Sequence, residues 1–216
     1  MTTALRTRIK FCGMTRAEDV AAAVALGVDA IGLILVPGSP RALSLSQAVA
    51  LRASLPPFVA SVALSLDADP ADAQRSAATL RPTFWQFHGS EAPEDCDRIG
   101  LPYLKAVPMA QPEDAAAFAA RYRSASGFVL DSHVAGGQGG SGRRFDWSRI
   151  PADLGRPLVL AGGLTPDNVF DAVCAVRPYA VDVSSGIESA PGVKDGDRMR
   201  AFVAQVQRAD AILRSA

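Results

Sequence analysis

Long apolar runs are missing from this sequence. No stretch approaches the roughly 18 uninterrupted apolar residues that a membrane helix needs. Neither sign of charge is in excess: Lys plus Arg and Asp plus Glu stand at 22 each. A nucleic-acid binder shows a basic surplus or a basic block on one face, so nucleic acid is not expected as the partner. Cysteine is scarce. Cys12, Cys96 and Cys174 are odd in number and far apart, form no CxxC, and have too few histidines nearby for a zinc site. Without a disulfide framework, a reduced, cytoplasmic setting is expected. The opening MTTALRTRIKF is charged but lacks the apolar segment of a secretory signal.

What is present suits a single folded domain spanning 1–216. The chain is 49% apolar, enough for a substantial core. Short runs rich in Val, Ile, Leu and Phe alternate with longer Ala-rich segments of helical spacing. The expected strands are Arg8–Cys12, Asp29–Leu35, Phe58–Leu66, Thr83–Phe87, Tyr103–Val107, Gly127–Asp131, Leu158–Ala161 and Val181–Ser184. Several are apolar almost throughout, as parallel strands covered on both faces should be. Thr15 with Glu18, and Ser44 with Gln47, fit capping boxes. Pro70, Pro112 and Pro166 stand where a first helical residue would be. The connection after strand four leaves room for a helix of two turns. The last helix, near Gly196 to Ser215, puts Met199, Phe202, Val203, Val206 and Leu213 on one stripe. Eight such units with no domain-sized linker predict an α/β protein, a closed (β/α)8 TIM barrel; a doubly wound open sheet is the competing architecture.

In such a barrel the chemistry sits in the loops after the C-terminal ends of the strands. Strand one ends Lys10-Phe11-Cys12-Gly13, and alternation gives Lys10 and Cys12 one shared face. If that face is the interior, an ammonium lies one layer below a thiol and favours the thiolate, lowering its pKa. Taken alone, Cys12 reads more readily as a small buried hydrophobe, the commoner fate of a lone cysteine. Strand two leads into Pro37-Gly38-Ser39-Pro40-Arg41, a rigid turn carrying an arginine whose planar fork suits a carboxylate. Taken alone, it also reads as a solvated surface arginine.

Strand six is apolar and ends in Asp131, where desolvation would help a carboxyl hold its proton; capping of the next loop is the competing role. A glycine-rich stretch follows at 135–142, either a ligand-contacting loop or a plain linker, without the Lys-Ser/Thr ending of a P-loop. Gly162 and Gly163 follow strand seven. Ser184, Ser185 and Gly186 follow strand eight, next to Asp182. Small residues after these two strands let an anion approach backbone N–H groups, which points to a phosphorylated small molecule.

Taken in order, KFCGMTR at 10–16, SPR ending at Arg41, QFHG at 86–89 and LDS at 130–132 resemble the phosphoribosylanthranilate isomerase family. GGSGRRFDW at 139–147, LAGGLTPDNV at 160–169, and VDVSSGIE with GVKD at 181–195 continue the likeness. The resemblance covers nearly the whole chain. It implies an Amadori rearrangement of N-(5-phosphoribosyl)anthranilate in tryptophan biosynthesis, with Cys12 as general base and Asp131 as general acid. It further implies Arg41 at the anthranilate group, Asp182 facing the sugar, and Gly162, Gly163, Ser184, Ser185 and Gly186 at the phosphate. No metal or redox cofactor is implied. Phe11 and Met14 depart from the isoleucines more usual in the family, and strand two ends in Ile34-Leu35-Val36 where an aromatic is common. His88 receives no catalytic role. A bifunctional histidine/tryptophan isomerase is an alternative; it uses aspartates at both catalytic positions and shows a twofold repeat. A non-catalytic phosphosugar-binding barrel is another. A monomer and a homodimer are both compatible with the sequence.

Overall fold

The computed structural model describes residues 6–110, 114–132, 145–151 and 153–215. Eight strands close into a barrel in chain order, every neighbouring pair parallel and β8 returning to β1. The strands are β1 Arg8–Phe11, β2 Ala30–Ile34, β3 Ala60–Ser65, β4 Phe84–Phe87, β5 Tyr103–Pro108, β6 Gly127–Asp131, β7 Leu158–Leu160 and β8 Ala180–Val183. The closed (β/α)8 expectation is met, and the open doubly wound sheet is excluded.

Side-chain alternation divides the core into two layers. Outward residues of the strands join the helices in the main apolar cluster, as where Phe11 meets Phe202 edge-on at 6.0 Å. Burying a side chain of this size contributes about 1.5–3 kcal/mol. Inward residues Val129, Val159, Ala161 and Ala180 fill the barrel itself. Higher up, Cys12, Val36 and Leu64 form a third, small cluster at the mouth. The barrel interior therefore receives Lys10 and Cys12, as the alternation along β1 predicts.

Helices α1 Ala17–Ala25, α2 Leu45–Ala53, α3 Pro70–Leu80, α4 Pro93–Asp97, α5 Ala115–Ala120, α6 Val169–Val176 and α7 Gly196–Ser215 follow their strands. The Ser44/Gln47 capping box forms, and Asp69 caps α3 with Pro70 at its first position. The other expected starts differ. Arg16, not Thr15, precedes α1 without a side-chain cap; Thr15 Oγ1 instead donates to the carbonyl of Gly192. Pro166 lies in a turn before α6, where Asn168 Oδ1 accepts from Thr165 N at 3.0 Å and Asn168 Nδ2 donates to Gly163 O at 2.9 Å. That turn uses the backbone groups an earlier helix would need, so α6 starts at Val169. The start at Pro112 lies outside the described residues; Asp114 caps α5 by accepting from Ala116 N. Helix α4 has five residues, shorter than two turns.

One element was not expected. Between β8 and α7 the chain makes a small antiparallel hairpin, β9 Glu188–Ala190 and β10 Val193–Lys194, turning at Pro191-Gly192 with Gly192 at φ +80°. Asp19 of α1 accepts from the backbone N–H of Lys194, which ties this hairpin to the first β/α unit. No helix among the described residues is long and apolar enough to cross a membrane.

Candidate active site

Cys12 sits at the upper end of β1, its backbone N–H donating to Val183 O of β8 at 2.8 Å. Its sulfur packs on the bare Cα of Gly32 in β2, where an added Cβ would come within 2.6 Å of it. Below it, Lys10 Nζ lies 2.8 Å from Asp182 Oδ2, both side chains buried. Burial disfavours the Lys10 ammonium, but attraction to Asp182 and then to Cys12 outweighs it and raises the pKa. For Cys12 the balance falls the other way. Burial raises the thiol pKa, and the opposing pull of Lys10 does not cancel it. The expected lowering is therefore corrected: the neighbouring charge is present, but desolvation wins.

Across the mouth, Asp131 ends β6. Its Oδ1 accepts from Ser132 N at 2.6 Å, and its Oδ2 lies 3.4 Å from His88 Nε2. Gln86 Nε2 and His88 Nδ1 are 3.3 Å apart, so Gln86 of β4 and His88 just after it carry a polar chain towards Asp131. Cys12, Asp131 and Asp182 all line one open cleft of about 800 Å³. The wall beside Cys12 is aliphatic, built from Ile34, Val36, Leu64 and Leu66.

A sequence model of the family N-(5'phosphoribosyl)anthranilate (PRA) isomerase matches residues 9–205. This chain belongs to that family. Similar proteins include the N-(5'-phosphoribosyl)anthranilate isomerase of Xylella fastidiosa (strain M12), 52% identical over 209 residues, covering 95% of this chain and 94% of that protein. The same-named protein of Xanthomonas campestris pv. campestris (strain 8004) is 52% identical over 211 residues, covering 95% of each. Among solved structures, the phosphoribosyl anthranilate isomerase of Thermotoga maritima superimposes with a TM-score of 0.84 at 38% identity, covering 94% of this chain and 99% of that one. The enzyme from Thermus thermophilus gives 0.83 at 37%, with the same coverage. The chain is thus an intramolecular aldose–ketose isomerase of tryptophan biosynthesis.

Other features of this phosphoribosylanthranilate isomerase barrel lay beyond the sequence reading. Arg41 is buried, not a solvated surface residue. Its Nε and Nη2 donate to the two oxygens of Glu188, each at 2.7 Å, and Lys194 Nζ reaches Glu188 Oε1 at 2.7 Å. Glu188 and Lys194 fell inside the quoted motifs without a role. Only the hairpin brings them under Arg41. Burial pushes Glu188 up, but Arg41 and Lys194 outweigh it and hold the carboxyl below its ordinary value. Burial also dominates for Lys194, whose pKa is lowered despite Glu188.

The loops after β7 and β8 lie together. Gly162 and Gly163 take φ +78° and +67°, open to glycine at little cost. A Cβ on Gly186 would run into the carbonyl of Leu164. Among the described residues the backbone N–H groups of Gly162 and Gly163 donate no hydrogen bond outside the regular elements, and Ser185 and Gly186 open a 3-10 turn whose first N–H groups have no carbonyl within the turn to reach. Ser184 Oγ, Gln86 Oε1 and Asp182 Oδ1 are buried without a hydrogen-bond partner there. Buried polar atoms are normally paired, so this set marks where a polar ligand belongs. The glycine-rich stretch 135–142 lies outside the described residues.

Proposed function

We propose that residues 1–216 form one catalytic domain that converts N-(5'-phosphoribosyl)anthranilate to 1-(2-carboxyphenylamino)-1-deoxyribulose 5-phosphate. Asp131 gives a proton to the ring oxygen of the ribose. The C1–O bond breaks and the nitrogen lone pair forms an iminium. Cys12, as thiolate, takes the proton from C2, and the C–H electrons neutralise the iminium to give an enolamine. Return of a proton at C1 and loss of one from the C2 hydroxyl give the ketone, so the sugar is reduced at C1 and oxidised at C2.

Support comes from one observation: a buried thiol just after β1 and a buried carboxyl at the end of β6 line a single cleft. An acid and a base are what the reaction asks for, each contributing about 10²- to 10⁴-fold. The iminium beside the C2–H bond makes that proton acidic enough for a thiolate to remove. Asp182 Oδ1, unpaired and buried, suits a sugar hydroxyl donor. The four amides of Gly162, Gly163, Ser185 and Gly186, with Ser184 Oγ, suit the phosphate. Arg41 Nη1, the guanidinium nitrogen not bound to Glu188, is left for the anthranilate carboxylate. A neighbouring fold at 34% identity and TM-score 0.79 was solved with reduced 1-(o-carboxyphenylamino)-1-deoxyribulose 5-phosphate, a molecule with these three groups. Three free cysteines suit the cytoplasm. The Thermotoga maritima relative is described as dimeric; a monomer and a homodimer both leave the chemistry within one barrel.

The test is consumption of the fluorescent anthranilate adduct. Cys12→Ser and Asp131→Asn should each lower turnover by about 10²- to 10⁴-fold. Wild-type rates in both variants would refute the assignment.

A further inference from the structure

His88 follows β4 and reaches the cleft beside Asp131, on a backbone held more firmly than a loop needs. Its own N–H donates to Ser65 O at 2.9 Å. The next residue, Gly89, is tied through both of its backbone polar groups. Its N–H donates to Glu91 Oε2 at 3.0 Å, and its carbonyl accepts from Lys105 Nζ at 2.5 Å. Lys105 and Glu91 pair at 2.8 Å, and both are buried. A Cβ on Gly89 would run into the Asp67 carboxylate, so a side chain does not fit there. A buried ion pair adds little net stability; holding one arrangement against others is a better reason to keep it.

That arrangement sets the His88 ring between two side chains. Nδ1 lies 3.3 Å from Gln86 Nε2, and Nε2 lies 3.4 Å from Asp131 Oδ2. All three residues are buried and line the cleft. The Gln86 nitrogen can only donate, so Nδ1 accepts, and the proton of a neutral ring belongs on Nε2, pointing at Oδ2. At the other end of the carboxyl, Oδ1 accepts from Ser132 N at 2.6 Å. The proton that Asp131 would give up therefore belongs on Oδ2. A hydroxyl oxygen that accepts from Nε2–H turns its own hydrogen away from the ring and into the cleft. The opposite tautomer would present a lone pair to Oδ2 and draw that hydrogen back towards His88.

We infer that His88 is a positioning residue for the proposed acid. Gln86 sets its tautomer; its Nε2–H aims the Asp131 proton into the cleft and steadies the carboxylate left behind. The inference rests on the reading of Asp131 as the acid. Contacts of this kind are often long in a free enzyme and tighten with substrate, in keeping with the 3.4 Å separation.

The experiment has a spectroscopic arm and a kinetic one. The sequence has two histidines, His88 and His133, so nitrogen NMR of a His133→Gln protein reads His88 alone. At about pH 8, above the ordinary histidine value, the ring proton should sit on Nε2. Gln86→Glu replaces the donor by an acceptor, so it should draw a proton onto Nδ1 and lower kcat. In the kinetic arm, His88→Leu fills the volume without a donor and should lower kcat by about 10- to 100-fold, with KM changed far less. His88→Gln offers a side-chain N–H in place of Nε2 and should run about tenfold faster than His88→Leu. A wild-type proton on Nδ1, or on both nitrogens, overturns the inference, as do equal rates in the Gln and Leu variants, the result of a space-filling role. If His88→Leu does not fold, the tautomer and the Gln86→Glu rate decide. Failure of the acid assignment would appear separately, as an active Asp131→Asn enzyme.

Discussion

Lys10 and Asp182 are joined at 2.8 Å through one carboxylate oxygen, while the other oxygen of Asp182 is buried with no hydrogen-bond partner among the described residues. One group thus faces both the barrel core and the cleft. The inner oxygen neutralises a buried ammonium, and the outer one is the atom proposed above to accept from a sugar hydroxyl.

This division predicts a stability defect beside any kinetic one. Asp182→Asn leaves the Lys10 ammonium buried without its counter-charge and should cost about 3–5 kcal/mol in urea unfolding. Combining it with Lys10→Met removes the stranded charge and should restore a large part of that loss. Equal stability of Asp182→Asn and wild type would contradict the pairing.

Two glycines should separate the catalytic step from binding. A Cβ at Gly162 would stand 2.6 Å from Ser132 N and 2.9 Å from Asp131 Oδ1, with φ at +78°. Gly162→Ala therefore displaces Asp131, the proposed acid, and should lower kcat by about 100-fold, the effect of a misplacement near 1 Å. At Gly186 the collision is with the backbone of Leu164, remote from Asp131 in the chain. Gly186→Ala should raise KM, and weaken inhibition by inorganic phosphate, by about 10- to 100-fold, the loss of one hydrogen bond to a charged group. Steady-state kinetics on the two variants checks this split; indistinguishable profiles would refute it.

The pH dependence follows from the direction of the Cys12 shift. In the proposed mechanism the active form is the thiolate, and burial raises the pKa of the thiol above its ordinary value. Less thiolate is then present at neutrality than for a free cysteine. The rising limb of kcat/KM, which reports the free enzyme, should extend beyond about pH 8.5. In Cys12→Asp the base is ionised far lower, so whatever activity remains should lose that alkaline limb. A wild-type limb centred below pH ~7 would contradict the desolvated thiol.

The barrel was legible because its signal is repetitive. Each strand is a dense apolar run, and the observed strands match the expected ones with ends moved by one or two residues, as at β1, which stops at Phe11 and not Cys12. Lys10 and Cys12 were legible as a pair because alternation is geometric. Helix starts were less so. Thr15 and Pro166 carry the right local chemistry, but distant partners claim it: the carbonyl of Gly192 for Thr15, and the Asn168 turn for Pro166. The Glu188–Lys194 clamp was hidden for a different reason. Its strands span three and two residues, too short for a periodic pattern. Pro191-Gly192 was the available signal, a turn-forming pair between residues that face Arg41 only after folding. The sign of the Cys12 shift was missed because burial is a property of the closed barrel, whereas the neighbouring lysine is visible in the sequence.

The small hairpin before α7 also bears on when the enzyme becomes competent. Lys10 precedes its partner Asp182 by 172 residues, and Arg41 precedes Glu188 by 147, so both cations emerge from the ribosome long before the carboxylates that receive them. Until then Lys10 and Arg41 have no carboxylates to receive them, so a nascent chain has every reason to keep these residues in water. Cys12 gains its surroundings only as β8 closes on β1, and a truncated product ending before β8 would lack Asp182, Glu188 and Lys194 together.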